Sequence, residues 1–175
     1  MTFYTRPELE RLGVLAPPRP QHLTPRTTTT PPLIGYTRHW EGAIDTNPFG
    51  HLHQIQATYF AKGYGDIPYA SANDNRGNIY CLRDQFAWIG AHAESADNEA
   101  NTITLGHCFL EDTGTGTITA DGYAALNFTR GLFHLRFGHQ PAEWAHSYWA
   151  RTVGKATTCP GPVQHVWVAH LGGKT

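Results

Sequence analysis

Apolar residues in the 49–61 stretch fall at Leu52, Ile55, Tyr59 and Phe60, an approximate helical repeat that stops before Gly63. That spacing predicts a helix closed by a glycine turn. A second helical repeat, with Tyr123, Leu126, Leu132, Phe133 and Leu135 on an imperfect apolar face, predicts a helix over 120–136 ending at Gly138. A short helix is expected over 6–13, where Pro7 suits a first-turn position. Extended segments are expected at 33–39, 69–72, 78–83 and 102–110, with the turn NDNRG between the second and third. Gly114 and Gly116 mark a loop, and 142–168 reads as short extended pieces around a turn at Cys159, Pro160 and Gly161. Helices interleaved with strands predict an α/β fold, a single mixed sheet with helices packed on its faces.

A chain of 175 residues with 40% apolar content can bury one core. It divides into an N-terminal helix and Pro/Thr-rich arm over 1–32 and a main unit over 33–175. A formal charge of −1 with no Lys/Arg cluster argues against nucleic acid and anionic membranes as partners. The first twenty residues lack the basic start and apolar core of a secretory signal, and no run reaches membrane-spanning length. A protein made in the cytosol, without membrane insertion, is therefore expected. The three cysteines, Cys81, Cys108 and Cys159, form an odd set without framework spacing, which leaves at least one thiol for other chemistry. Cys81 and Cys108 lie in apolar segments and read as buried thiols.

Candidate chemistry gathers at TTCPG, residues 157–161, where a thiol sits in a tight turn with His146 upstream. Thiolate and imidazole are both ligands for a borderline metal ion, and a catalytic site needs a third, for which His39 at the end of a strand-like segment is the candidate. Spacing by itself leaves other uses open. A lone histidine or cysteine is commonly an ordinary packed residue. Cys159 with His146 as base would suit a cysteine hydrolase. A closed structural site would need a fourth ligand, and none is evident. His134 and His139 compete with His146 for the second position.

Several segments together resemble the peptidoglycan recognition protein and type 2 N-acetylmuramoyl-L-alanine amidase family. They are TRPELERLGVLAPP at the start, IGYTRHWEGA, IQATYFAKGYGDIPYA, GNIYCLRD, IGAHAESADN and TTCPG, in the family's order across most of the chain. The resemblance implies zinc held by His39, His146 and Cys159, with Tyr69 as the active-site tyrosine and Thr157 as a weaker second hydrogen-bond donor. It also implies a groove shaped by His92 and Asn98, with Arg83 either holding a stem-peptide carboxylate or pairing internally with Asp66. Departures are visible. His146 and Cys159 are thirteen positions apart against about eight in the family, implying an insertion within 150–156, and Pro68 replaces a glycine. Thr157 stands where related phage enzymes carry Lys, and Lys155 is the nearby alternative. Trp40, Trp88, Trp144 and Trp149 are available for sugar stacking or for packing.

The implied activity is hydrolysis of the amide between N-acetylmuramic acid and L-alanine in bacterial peptidoglycan. Zn2+ would polarise the carbonyl and acidify a water. A non-catalytic wall-binding module of the same fold is the principal alternative. The expected setting is a monomeric phage endolysin that stays in the host cytoplasm until released to the cell wall, with an exported interbacterial effector as the alternative.

Overall fold

In the computed structural model, which describes residues 1–41, 47–84, 86–111 and 117–175, strand β5 (Thr104–Phe109) lies in the middle of a six-stranded sheet with all six of its residues buried. The other strands are β1 (Phe3–Tyr4), β2 (Gly35–Trp40), β3 (Ser71–Asn73), β4 (Ile79–Cys81) and β6 (Ala142–Ala145), in the order β1-β4-β3-β5-β2-β6. Every neighbouring pair is parallel except β3 with β4. That antiparallel pair is set by its turn. The Asp74 carboxylate accepts from the backbone N–H groups of Arg76 and Asn78 and from the Tyr80 hydroxyl. Gly77 supplies the left-handed residue at φ 76°.

Period-two alternation then sends neighbouring side chains to opposite faces. On one face Ala72, Tyr80 and Cys108 pack with Leu9, Leu52 and Ile55, from α1 (Arg6–Arg11) and α2 (Pro48–Ala61). Further along this face Trp144 packs with Ala100 and Trp149, from α3 (Glu99–Ile103) and α5 (His146–Thr152). The opposite face carries Tyr36, Leu105 and Phe109 against Phe133, Leu126, Trp167 and Val168, from α4 (Ala120–Phe137) and α6 (Pro162–His170). The α/β arrangement expected from the pattern is therefore present, as one mixed sheet covered on both faces.

Residues 1–32 are tied into this body. They contribute β1 and the buried Leu9, Val14 and Leu15. Ala16 exchanges hydrogen bonds with the Gln56 side chain in both directions, and Arg26 donates to the Thr102 carbonyl.

Two parts of the pattern are corrected. Of 142–168, read as extended pieces, only β6 is a strand. The expected turn at Cys159, Pro160 and Gly161 is present, but the segments on either side of 153–161 form α5 and α6, because burying Trp149 and Ala150 on α5, and Gln164, Trp167 and Val168 on α6, outweighs their weak periodicity. The stretch 102–110 begins inside α3, and the strand starts only at Thr104. The loop expected at Gly114 and Gly116 lies outside the described residues.

Candidate metal centre

His39 lies near the end of β2 and is buried, with its ring on the face shared with α2 and α5. His146 is the first residue of α5, directly after β6, so a parallel neighbour of β2 delivers it to the same end of the sheet. Cys159 precedes a cis peptide to Pro160, and Gly161, at φ 83°, turns the chain into α6 with a backbone conformation that side chains disfavour. The Ser147 N–H donates to the Cys159 carbonyl at 2.9 Å, and Gln164 on α6 donates to the His39 carbonyl at 3.2 Å. These bonds link the three segments.

The ligating atoms of His39, His146 and Cys159 lie within 4.8 Å of one another. Cys159 Sγ is 3.8 Å from His39 Nδ1, and the two imidazole centroids are 4.5 Å apart. Tetrahedral coordination with metal–N near 2.05 Å and metal–S near 2.3 Å places such donors about 3.3–3.6 Å apart, so the cluster fits an ion of that kind. His134 and His139, the competing ligands, are exposed on the far side of the sheet and are not part of this group.

The network also assigns the tautomer of His39. His92 Nε2 faces the Thr104 carbonyl at 3.3 Å, which can only accept, so Nε2 carries the hydrogen. Burial holds the His92 ring neutral, pushing its pKa down to about 3. Its bare Nδ1 then accepts from His39 Nε2 at 3.2 Å, leaving the lone pair of His39 Nδ1 towards Cys159. Space for the His92 ring depends on Gly106, where an added Cβ would come within 2.5 Å of it. Burial also lowers His39 and His146 and pushes the Cys159 thiol up to about 12. The imidazoles are thus in their ligating form, and the thiol reaches its own only beside a cation.

A groove of about 870 Å³ runs past this cluster, lined among others by His146, Thr157, His92, Asn98, Arg83 and Tyr59. Tyr69 packs its ring on His39 with centroids 5.0 Å apart, and its hydroxyl bonds the Cys108 thiol, which in turn approaches Glu41 at 3.6 Å. Burial raises the Tyr69 pKa well above 10, so the phenol stays a donor. The Thr157 oxygen accepts from the Cys159 N–H at 3.2 Å, leaving its hydrogen free for the groove.

Asn98 is exposed in a left-handed conformation at φ 57° and accepts from Asn101. Asp66 is held by Arg6 at 2.9 Å and by Gln56, not by Arg83. Arg83 is buried with its Nε unpartnered, and burial lowers its pKa to about 10. Lys155 pairs instead with Glu94 at the rim. Trp144 and Trp149 pack on each other, and none of Trp40, Trp88, Trp144 and Trp149 lines the groove. Glu41, Ser147 and Gln164 carried no signal in sequence, since each acts through a contact made only in the folded chain. Of the thirteen-residue separation between His146 and Cys159, α5 takes up the part to Thr152.

No family model matches the chain, and no curated protein matches it in sequence. Solved structures do match. Drosophila PGRP-LB superposes with a TM-score of 0.76 at 18% identity, covering 99% of this chain and 95% of that one. The complex of tracheal cytotoxin with the ectodomains of PGRP-LCa and PGRP-LCx gives 0.75 at 15% identity over 100% and 99%. The N-acetylmuramoyl-L-alanine amidase LysC from Clostridium intestinale gives 0.62 at 18% identity over 81% and 87%. The fold is that of the peptidoglycan recognition proteins and N-acetylmuramoyl-L-alanine amidases. This peptidoglycan recognition fold places the cluster and the groove on one side of its sheet.

Proposed function

We propose that the protein is a zinc-dependent N-acetylmuramoyl-L-alanine amidase acting on bacterial peptidoglycan. The observation that carries this reading is the convergence of His39 Nδ1, a His146 nitrogen and Cys159 Sγ beside a groove, three ligands of the kind that leave a fourth position open. Zinc held there would supply Lewis-acid polarisation of the scissile carbonyl and a water of lowered pKa. His92 keeps His39 in the ligating tautomer. Thr157, with a free hydroxyl hydrogen, and Tyr69, protonated beside His39 and exchanging its bond to the Cys108 thiol for one to substrate, are the donors for the oxygen that gains charge as the amide is attacked. Arg83, His92 and Asn98 belong to the groove that holds the glycan and stem peptide, and the buried Arg83 cation suits a peptide carboxylate.

A thiol nucleophile is disfavoured at Cys159, which is buried, faces His39 and has its pKa raised to about 12. A binding module without catalysis would have no use for the thiol ligand together with Tyr69. With this reading go a phage endolysin role, release from host cytoplasm to the wall, and a monomeric working form.

The test is elemental analysis of the full chain combined with mass spectrometry of digested peptidoglycan. One zinc per chain is expected, with release of stem peptides bearing a free L-alanine amino terminus, and Cys159→Ser should lose both. A wild-type protein that neither holds nor responds to zinc, or a Cys159→Ser protein with full zinc and full turnover, refutes the assignment.

A further inference from the structure

Across the sheet from the metal centre, three polar side chains form a line that the proposed amidase chemistry does not use. Ser71 Oγ is 2.8 Å from His107 Nδ1, and His107 Nε2 is 2.7 Å from Asn73 Oδ1. The register puts them on one face, since β3 and β5 pair Ser71 with His107 and Asn73 with Phe109. The direction of each bond follows from its neighbours. Asn73 Nδ2 donates to the carbonyls of Asp74 and Gly122, which turns Oδ1 towards His107. That oxygen can only accept, so His107 carries its hydrogen on Nε2 and offers a bare Nδ1 to the Ser71 hydroxyl. The order is hydroxyl, base, orienting group, which is the arrangement of an activated nucleophile.

Only one member of the line meets free space. His107 and Asn73 are fully buried, whereas Ser71 lies in the wall of a cavity of about 230 Å³ beneath α4. The rest of that wall includes Tyr36, Leu105, Phe133, Phe137 and Arg83. The wall is mostly apolar, and its charged members, Arg83 and Arg136, are both cations, so a cationic substrate body is disfavoured. The volume is below the roughly 300–1,000 Å³ of pockets for drug-sized ligands, which limits the occupant to a short chain. Arg83, 8% exposed and shared between this wall and the groove, has an Nε–H without an acceptor.

We propose that Ser71 is an acyl-accepting nucleophile, with the cavity under α4 receiving the short acyl group of an activated ester. Ser71 Oγ bonds to the carbonyl carbon and its proton passes to His107 Nδ1. The carbon–oxygen bond to the leaving alcohol breaks, and the same proton goes to the departing oxygen. The products are the Ser71 ester and the free alcohol, with no change of oxidation state. Asn73 provides no countercharge for an imidazolium, and burial together with Arg38 keeps His107 weakly basic. The site therefore favours esters whose alcohol leaves easily, and the acylated serine accumulates instead of turning over.

The experiment treats the full chain with p-nitrophenyl butyrate and locates the adduct by peptide mass spectrometry, because a metal centre could hydrolyse the same ester without leaving one. One butyryl group on Ser71 is expected, absent in Ser71→Ala and formed about 10²–10⁴-fold more slowly in His107→Gln. Should His107→Gln fail to fold, Leu132→Trp on the outer side of α4 fills the cavity from its rim. It should block labelling while peptidoglycan cleavage continues. Absence of the adduct from Ser71 in the wild type when the ester is exhausted overturns the proposal, as does labelling that Leu132→Trp leaves unchanged. Failure of the amidase assignment would not affect this readout.

Discussion

Arg38 and His39 are adjacent in β2, both buried, and project from opposite faces of the same sheet. Arg38 is held by a countercharge and an aromatic cover, with its Nη1 left without a hydrogen-bond partner among the described residues. Its guanidinium makes a bidentate pair with Glu143 at 2.7 and 2.9 Å, Arg130 adds a second cation to that carboxylate, and the rings of Tyr36 and Trp167 cover it. His39 is engaged on one side only. Its Nε2 is taken by His92, whereas Nδ1 shares its space with two other potential ligands. The lesson is that burial of polar residues does not by itself mark a site. On one face a carboxylate neutralises the buried cation, and on the other two imidazoles and a thiol converge with lone pairs to spare, which is what a bound cation requires.

The largest effect that would test this contrast is on the Arg38 side. Glu143→Gln leaves a buried guanidinium without its countercharge and should cost about 3–5 kcal/mol in urea unfolding. A loss under about 1 kcal/mol would show that the aromatic cover suffices. On the other face, Tyr69→Phe removes one donor and keeps the ring, so peptidoglycan turnover should fall about 10²–10³-fold at unchanged zinc content. Equal rates for mutant and wild type would reduce Tyr69 to packing against His39. His92→Phe keeps a ring but deletes the acceptor that fixes the His39 tautomer, and competition with a chelator should reveal zinc binding weakened about 10–100-fold.

The smallest effect is acid sensitivity common to both faces. His92 and His107 are held below the ordinary value of 6.5 by burial, His92 at about 3. The unfolded chain therefore binds more protons than the folded one once the pH drops beneath 6.5, and stability is lost as pH falls. Each ring contributes up to about 1.4 kcal/mol per pH unit, down to about pH 3 for His92. Denaturation midpoints at pH 7 and 5.5 measure this, and His107→Gln should flatten the dependence if it folds.

Much of the protein was legible before folding was considered. The repeat in 49–61 and 120–136 specified the bounds of α2 and α4 to within a residue at each end, but on α4 only Leu126 and Phe133 of the expected apolar face are buried, and Leu132 and Leu135 are exposed. The motif order, from the His39 segment to TTCPG, pointed to His39, His146 and Cys159 through resemblance, and the structure brings them together. Other features had no local signal. Helices α5 and α6 follow no clear period, since Trp149 and Trp167 are placed by the sheet they cover and not by an amphipathic repeat. Arg6, not Arg83, holds Asp66 because a residue sixty positions away folds next to it. The sequence by itself determined which groups were available and which helices could form. The tertiary structure decided which polar groups meet, since strand register assigns each side chain to a face and thereby separates the charge-paired Arg38 from the open His39.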